Sequence, residues 1–531
     1  MFKGIAPTHI DHPGTPLQLL ILLIIWLSNL GLSTADILNK VLTNPELYLF
    51  FVSNILIILS FLTSVLLSAY IYYKTNNKIA AVLTQLPGLS FLTLKSFTSP
   101  YFILPIVINV SPEPFLISIV NLFSLSFLML YFSKKPYEEF LATLGLGLVC
   151  GLGLATKLTF FPLLFSALII IPWRLKPLFI MTCSISFVLS TFPIISKYPL
   201  LFQWIINILT HAGFYGMGAQ EFINWNMFFV HLFKDILSEY WFYLYPVAGI
   251  FIYSSIALIK NFSNRNYRFL WVSTFGVLFQ VILLAKHFSL HYIGPGLGLC
   301  GCVFFLFYIN NIAQHKILKQ ITTILVIVFI FYSVSQAYIY RSNLANLTQE
   351  ILTFHNRVYS KYPHCTIIAS QSDAVSLNLN QEYALFFGNR YSSHMESEEL
   401  LRLYPQSFYF NPDNIDSNTT DGYGIWNSKS RIMADDILSS NPCVIFLSGT
   451  KFKPPYEMLQ VDSSNIANAY IFVGTTEKQA NELFALAMEA LGKGEYQRAF
   501  ALAIKSRELN YQPKNKVDYF LTLIYKNLQR K

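Results

Sequence analysis

The chain has 531 residues, of which 54% are hydrophobic and only 12% charged, with a mean hydropathy of +0.47. Soluble domains carry about 25% charged residues, so a soluble globular protein is excluded and an integral membrane protein is indicated. The net charge of +9 does not call for nucleic acid, because the basic residues fall in short loops between apolar runs, where they orient a membrane chain.

The first informative stretch is residues 8–18, T-H-I-D-H-P-G-T-P-L-Q. Asp11 stands there between His9 and His12, just ahead of an apolar segment. A carboxylate at a membrane face is costly to keep dry and marks a site more often than packing. It can act as a general base; it can also be a plain turn or N-cap residue before Pro13. His9 and His12 can tune it or hold a divalent metal, although His-x-Asp-His is a weak metal signal. No small-residue cleavage site follows a short apolar core, so the first spanning helix is expected to serve as an uncleaved signal. Segment 17–33 is apolar but short. If it spans, Asp11 is cytoplasmic; if it lies in the interface or re-enters, Asp11 is outside.

Candidate spans follow at 46–73, 79–97, 114–132, 138–156, 158–172, 177–195, 236–259, 268–285, 291–309 and 319–338, most of them near the ~20 residues a bilayer requires. The loops holding Lys74 and Lys78, Lys134 and Lys135, Arg174 and Lys176, Lys260 to Arg268, and Lys316 and Lys319 alternate with the others. These basic loops are therefore expected to be cytoplasmic. The loops at 98–113, near Lys157, at 196–235 and 286–290, and the whole tail, are expected outside.

Polar residues at the outer ends are the candidates for chemistry. Glu113, in V-S-P-E-P-F, reads as a carboxylate at a helix start. Lys157, in G-L-G-L-A-T-K-L-T-F-F-P, either snorkels to the interface or offers a cation to a lipid-linked phosphate. In loop 196–235, Trp204, His211, G-F-Y-G-M-G and Glu221 suit either a sugar-binding lid or an interfacial helix pair. The stretch A-K-H-F-S-L-H-Y-I-G-P-G concentrates Lys286, His287, His291 and Tyr292. Those donors suit an anionic group, or form an interfacial basic and aromatic belt.

The tail is expected to hold an α/β domain over 341–476, with short buried strands at 365–370, 443–448 and 469–474. Cys365 and Cys443 begin two of these strands. They are either a disulfide or two buried thiols, and the six cysteines show no C-x-x-C spacing. Residues 477–531 read as a helix pair about Gly492–Gly494. Leu491-Gly492, Tyr496, Ala499 and Ala503, with Pro513, resemble a tetratricopeptide repeat. One repeat cannot bury its own face, so it should pack on the α/β domain or on a partner.

Taken together, the acidic residue before H-P-G-T-P, the G-x-G-x-A-T-K-x-T junction and the later K-H-x-x-x-H-Y-x-x-P element resemble the GT-C membrane glycosyltransferases. The similarity is to the protein O-mannosyltransferase and aminoarabinose-transferase branch and covers roughly residues 8–310. The implied fold is a multi-spanning α-helical membrane domain over 1–340, followed by the soluble α/β domain and the terminal TPR-like helix pair. The implied activity is inverting transfer of a sugar from a polyprenyl-phosphate donor to a glycan, lipid or protein acceptor in the periplasm, at a bacterial inner membrane. Asp11 would be the base, and His9, His12, Lys157, Lys286, His287, His291 and Tyr292 would bind substrate. No cofactor is required, a divalent metal is an option, and membrane lipids rather than nucleic acid are the partners. Relatives carry a transmembrane helix ahead of the acidic loop and often two adjacent acids, whereas Asp11 stands alone near Met1. The alternative is a transporter or assembly subunit for lipid-linked glycans that has no transferase activity.

Overall fold

The structure, a computed structural model, describes residues 14–85, 110, 112–211, 219–286 and 290–370, and in the tail 402, 408–410, 425–426, 431–432, 443–449, 458–464, 467–472, 477–508 and 520–524. The chain divides into two compact units, Met1–Leu38 with Leu47–Leu344, and Asn39–Glu46 with Ala345–Lys531.

The helices follow the apolar runs in order: α1 (Thr15–Leu27), α2 (Thr34–Thr43), α3 (Pro45–Thr75), α4 (Lys78–Leu83), α5 (Pro112–Phe132), α6 (Pro136–Thr156), α7 (Phe161–Ile170), α8 (Lys176–Thr191), α9 (Tyr198–Thr210), α10 (Trp225–Val230), α11 (Ser238–Lys260), α12 (Arg265–Lys286), α13 (Gly294–Phe307) and α14 (Lys316–Lys361). Among the described residues, eight stretches are long and apolar enough to cross a membrane: Leu47–Thr75, Pro112–Phe132, Pro136–Thr156, Trp173–Thr210, Tyr240–Lys260, Arg265–Lys286, Gly294–Ile312 and Lys316–Ser335. The expected multi-pass helical fold is present. Helix α1, with 13 residues, rises roughly 20 Å, well short of a bilayer core. The candidate span 79–97 extends beyond the described residues. The span expected to end at 195 instead continues to Thr210 as α8, a 3-10 segment (Phe192–Lys197) and α9, because Pro193 and Pro199 interrupt the helical hydrogen bonding without ending the run.

Side chains pack tightly where α6 meets α8. A β-carbon on Gly147 would lie 1.9 Å from Thr182 Oγ1, and one on Gly151 would lie 2.3 Å from the Cys183 carbonyl oxygen. The spacing is small-x-x-x-small, which brings two backbones together where lipid supplies no hydrophobic drive. Polar glue joins α5 to α3, where Asn121 donates to Ser64 Oγ at 2.9 Å and Thr63 Oγ1 at 3.2 Å.

The tail holds a mixed sheet of β1 (Thr366–Ser370), β2 (Phe408–Phe410), β3 (Ile425–Trp426), β4 (Arg431–Ile432), β5 (Val444–Gly449), β6 (Met458–Ser463) and β7 (Ala467–Phe472), in the order β4-β3-β2-β1-β5-β7-β6. Strand β1 runs parallel to β2 and β5, and the remaining pairs are antiparallel. Buried central strands read as continuous apolar runs, and Ile445, Phe446 and Leu447 are accordingly buried. The register sets Thr366 against Val444, so the preceding residues of each strand are neighbours too. Those residues are Cys365 and Cys443, with Cα atoms 4.6 Å apart, and they form a disulfide. Closing a loop of 78 residues stabilises the fold by on the order of 4 kcal/mol.

Helices α15 (Glu477–Gly492) and α16 (Tyr496–Glu508) form the expected terminal helix pair. Leu483, Ala487 and Ala490 of α15 and Ala499, Leu502 and Ala503 of α16 share one core with Ile445 and Leu447 of the sheet and with Phe354 and Val358 of α14. The turn closes through Glu495 N–H to the Ala490 carbonyl and Gly494 N–H to the Leu491 carbonyl, with Gly494 at φ 74°. That left-handed C-terminal cap favours glycine. Within the same unit Arg357 and Lys361, one turn apart on α14, reach Asp462 of β6 at 3.1 and 3.6 Å.

Two predictions follow from this packing. Gly151→Ala drives a β-carbon into backbone and should destabilise the protein by about 1–3 kcal/mol. Gly249→Ala, where nothing lies within 4 Å, should be neutral in the same thermal melts in detergent. The second concerns His355, which is fully buried with both ring nitrogens lacking partners among the described residues. Desolvation holds its pKa down at about 4, against an ordinary 6.5. The unfolded chain takes up a proton that the folded chain refuses, so stability is whole above pH 6.5 and falls as pH drops toward 4. The loss between pH 7 and pH 5 should be roughly 2 kcal/mol. His355→Leu should remove that part of the pH dependence; an unchanged slope would contradict it.

Candidate functional site

Lys157 is held by the way α6 ends. Its backbone leaves the helix in an extended conformation, φ −161° and ψ 134°, after its N–H has bonded the Gly153 carbonyl. A 3-10 turn (Leu158–Phe160) follows, and Pro162 then opens α7 in a first-turn position that suits it. The reversal is tight because the Phe160 ring lies where a side chain of residue 153 would be: a β-carbon on Gly153 would stand 2.5 Å from that ring. The glycine of G-x-G-x-A-T-K is therefore a packing requirement of the turn that presents the lysine.

The Lys157 ammonium does not snorkel. Its side chain is 3% exposed and forms an ion pair with Glu113, whose side chain is 8% exposed. Glu113 sits in the first turn of α5, where the helix dipole favours a carboxylate. The ring of Tyr292 closes the group, with the ammonium 4.5 Å from its centroid, a cation–π contact. Tyr292 belongs to a 3-10 turn (Leu290–Ile293) between α12 and α13. That turn is tied from below by Gln280 of α12, whose Nε2 donates to the Tyr292 carbonyl at 2.7 Å.

The amino-terminal segment meets the same helix end. Gly14 N–H donates to the Thr156 carbonyl at 3.1 Å, from a left-handed φ of 52° that favours glycine. Thr15 and Pro16 then begin α1, with Thr15, Pro16 and Leu17 buried. Gly14 is thus the point at which the described amino-terminal chain joins the Lys157 turn.

Of the residues singled out from the sequence, Lys157 and Tyr292 are brought together. Lys286 is engaged elsewhere: it donates to the Ile208 and Leu209 carbonyls at 3.1 and 2.6 Å and lies 4.4 Å from the centre of the Phe222 ring. There it caps the end of α9. His9, Asp11, His12 and His287 lie outside the described residues, as does the side chain of His291. No cluster of three potential metal ligands occurs among the described residues. Sequence reasoning took Glu113 for a helix-start residue, which it is, without its lysine partner, and passed over Gln280 altogether.

No family model matches this chain, and no curated protein matches it. Among solved structures it is similar to ArnT from Cupriavidus metallidurans bound to undecaprenyl phosphate, at 12% identity over 79% of this chain and 84% of that one, with a TM-score of 0.37. A likeness that slight assigns neither family nor activity.

The ion pair makes a prediction of its own. Lys157→Met leaves the Glu113 carboxylate buried without its cation and should cost about 3–5 kcal/mol. Combining it with Glu113→Gln removes both charges and should restore most of that loss in thermal unfolding. A double variant as unstable as the single one would show that the two groups are not coupled.

Proposed function

We propose that this protein is a membrane glycosyltransferase of the GT-C type, moving a sugar from a polyprenyl-phosphate donor to an acceptor on the outer, periplasmic side of a bacterial inner membrane. The observation that carries the reading is a buried ammonium at the outer end of α6, matched by a carboxylate and an aromatic face, beside the point where the amino-terminal chain docks.

Sidedness supports it. Helices α5 and α6 share the Lys134–Lys135 loop at their opposite ends, and α13 leads away from Tyr292 toward Lys316. Glu113, Lys157 and Tyr292 thus belong to the face opposite the basic loops, the non-cytoplasmic one by the positive-inside rule. The tail enters from the far end of the last span, which begins at Lys316, so it belongs to that face as well. A disulfide between Cys365 and Cys443 suits such an oxidising compartment.

In this reading the sugar's anomeric carbon is attacked by a hydroxyl or amine of the acceptor. Asp11 takes the proton from that nucleophile. The bond from the anomeric carbon to the phosphate oxygen breaks, its electron pair stays on the polyprenyl phosphate, and the anomeric centre inverts. Lys157 meets the charge that gathers on the leaving phosphate. To do so its ammonium exchanges the Glu113 carboxylate for the phosphate; the carboxylate is then left to the amino-terminal dipole of α5, a cost that the new pair with the phosphate offsets. Tyr292 keeps the ammonium's position by offering its ring to either state. Asp11 is three residues upstream of Gly14, a distance of at most ~11 Å for extended chain, which is within reach of the Lys157 turn.

Asp11→Asn should lower transfer by roughly 10²–10⁴-fold while leaving membrane insertion and binding of a polyprenyl monophosphate intact. Transfer at the wild-type rate in purified Asp11→Asn protein would refute its role as base. In the stability-restored Lys157→Met, Glu113→Gln background, binding of the polyprenyl monophosphate should be lost; retained binding would remove Lys157 from the donor site.

A further inference from the structure

Gln280 is a neutral amide inside an apolar membrane helix, 1% exposed. Its Nε2 donates to the Tyr292 carbonyl, 2.7 Å away and 12 residues along the chain. A carbonyl can only accept, so the orientation of the amide is fixed: Nε2 faces the turn and Oε1 faces away. Oε1 is buried and has no hydrogen-bond partner among the described residues.

That arrangement is a poor bargain for stability alone. One hydrogen bond contributes about 0.5–1.5 kcal/mol, while a buried acceptor left unmade costs about 1–3 kcal/mol. A leucine would fill the place and remove the bare Oε1, at the loss of the one bond to the Tyr292 carbonyl. Space has also been made for the glutamine: a β-carbon on Gly296, in the first turn of α13, would lie 2.9 Å from both Gln280 Cβ and Cγ. The bond from Gln280 holds the turn whose aromatic ring faces the Lys157 ammonium at 4.5 Å. Polar groups inside a membrane helix bundle mark function more often than packing.

We infer that Gln280 is a positioning residue of the anion site: its amide fixes the 290–293 turn, the turn fixes the Tyr292 ring, and the ring fixes the Lys157 ammonium. The inference rests on the reading of that site as one that takes a lipid phosphate. The chain of contacts runs from α12 through the turn to the end of α6, so a change at residue 280 alters the site without touching the ligand. Gln280→Leu breaks the first link while relieving the bare acceptor, so function and stability should part company in that variant.

The test uses the full-length protein in detergent, with decaprenyl monophosphate as probe. Gln280→Leu should keep the wild-type melting temperature and bind the probe roughly tenfold more weakly, the scale of one misplaced cation–π contact in a dry site. Tyr292→Leu should weaken binding by a similar factor, and combining the two should add little, because both break one chain. Gln280→Glu supplies the readout that a packing role would not give. Burial disfavours the charged carboxylate, so at acid pH its protonated oxygen can donate to the Tyr292 carbonyl and binding should recover; as pH rises and the proton leaves, binding should weaken. Wild-type binding in Gln280→Leu, additive effects with Tyr292→Leu, or a flat pH profile in Gln280→Glu would each overturn the inference. Failure of the wild-type protein to bind the probe would remove the lipid-phosphate reading and this inference with it.

Discussion

An ammonium and a carboxylate buried together at the end of a membrane helix constrain everything around them. Each ion alone costs several kcal/mol to desolvate, and only close pairing in a fixed geometry offsets that. The surroundings of Lys157 and Glu113 supply the fixity. Gly153 admits the Phe160 ring so that the chain can turn at Lys157, the first turn of α5 carries Glu113, and the 290–293 turn covers the pair with Tyr292. These are three separate parts of the chain, and the bundle must assemble for them to meet.

The same pairing decides how an anion could be received. A cation already matched by a carboxylate cannot be a loose, hydrated point charge at the interface. It is a pre-set group whose counter-ion can be exchanged, and the exchange favours a ligand that brings its own negative charge into a site poor in water. On the inference drawn from Gln280, its amide, tied to the turn beneath the ring, would keep the ammonium from following its new partner out of place.

The architecture was largely legible in the sequence, because apolar runs and basic loops are local signals. Most of the spanning helices fall within a few residues of the apolar runs. The exceptions have local causes, as at Pro193 and Pro199, where proline changes the helix type without stopping it. The disulfide was half legible: matching strand starts at Cys365 and Cys443 raised it, but only parallel pairing of β1 with β5 makes those starts neighbours. In the candidate site, Lys157 stood out as a lone cation between two apolar runs. Its partner did not, since Glu113 lies 44 residues away and a glutamate at a helix start already has a sufficient local explanation. Gln280 gives no periodic or motif signal. Its one mark is that it is the sole amide side chain between Phe269 and Ala285. Lys286 shows the opposite: its sequence neighbours suggested one cluster with Tyr292, whereas its ammonium caps α9, which follows from three-dimensional contacts and not from spacing.

The most direct measurement is an experimental structure of the full-length protein in lipid with a polyprenyl monophosphate bound. The account predicts phosphate oxygens within hydrogen-bond distance of the Lys157 ammonium, the ring of Tyr292 still over that ammonium, and the Glu113 carboxylate separated from it. A phosphate bound elsewhere, with the Lys157–Glu113 pair intact, would contradict it.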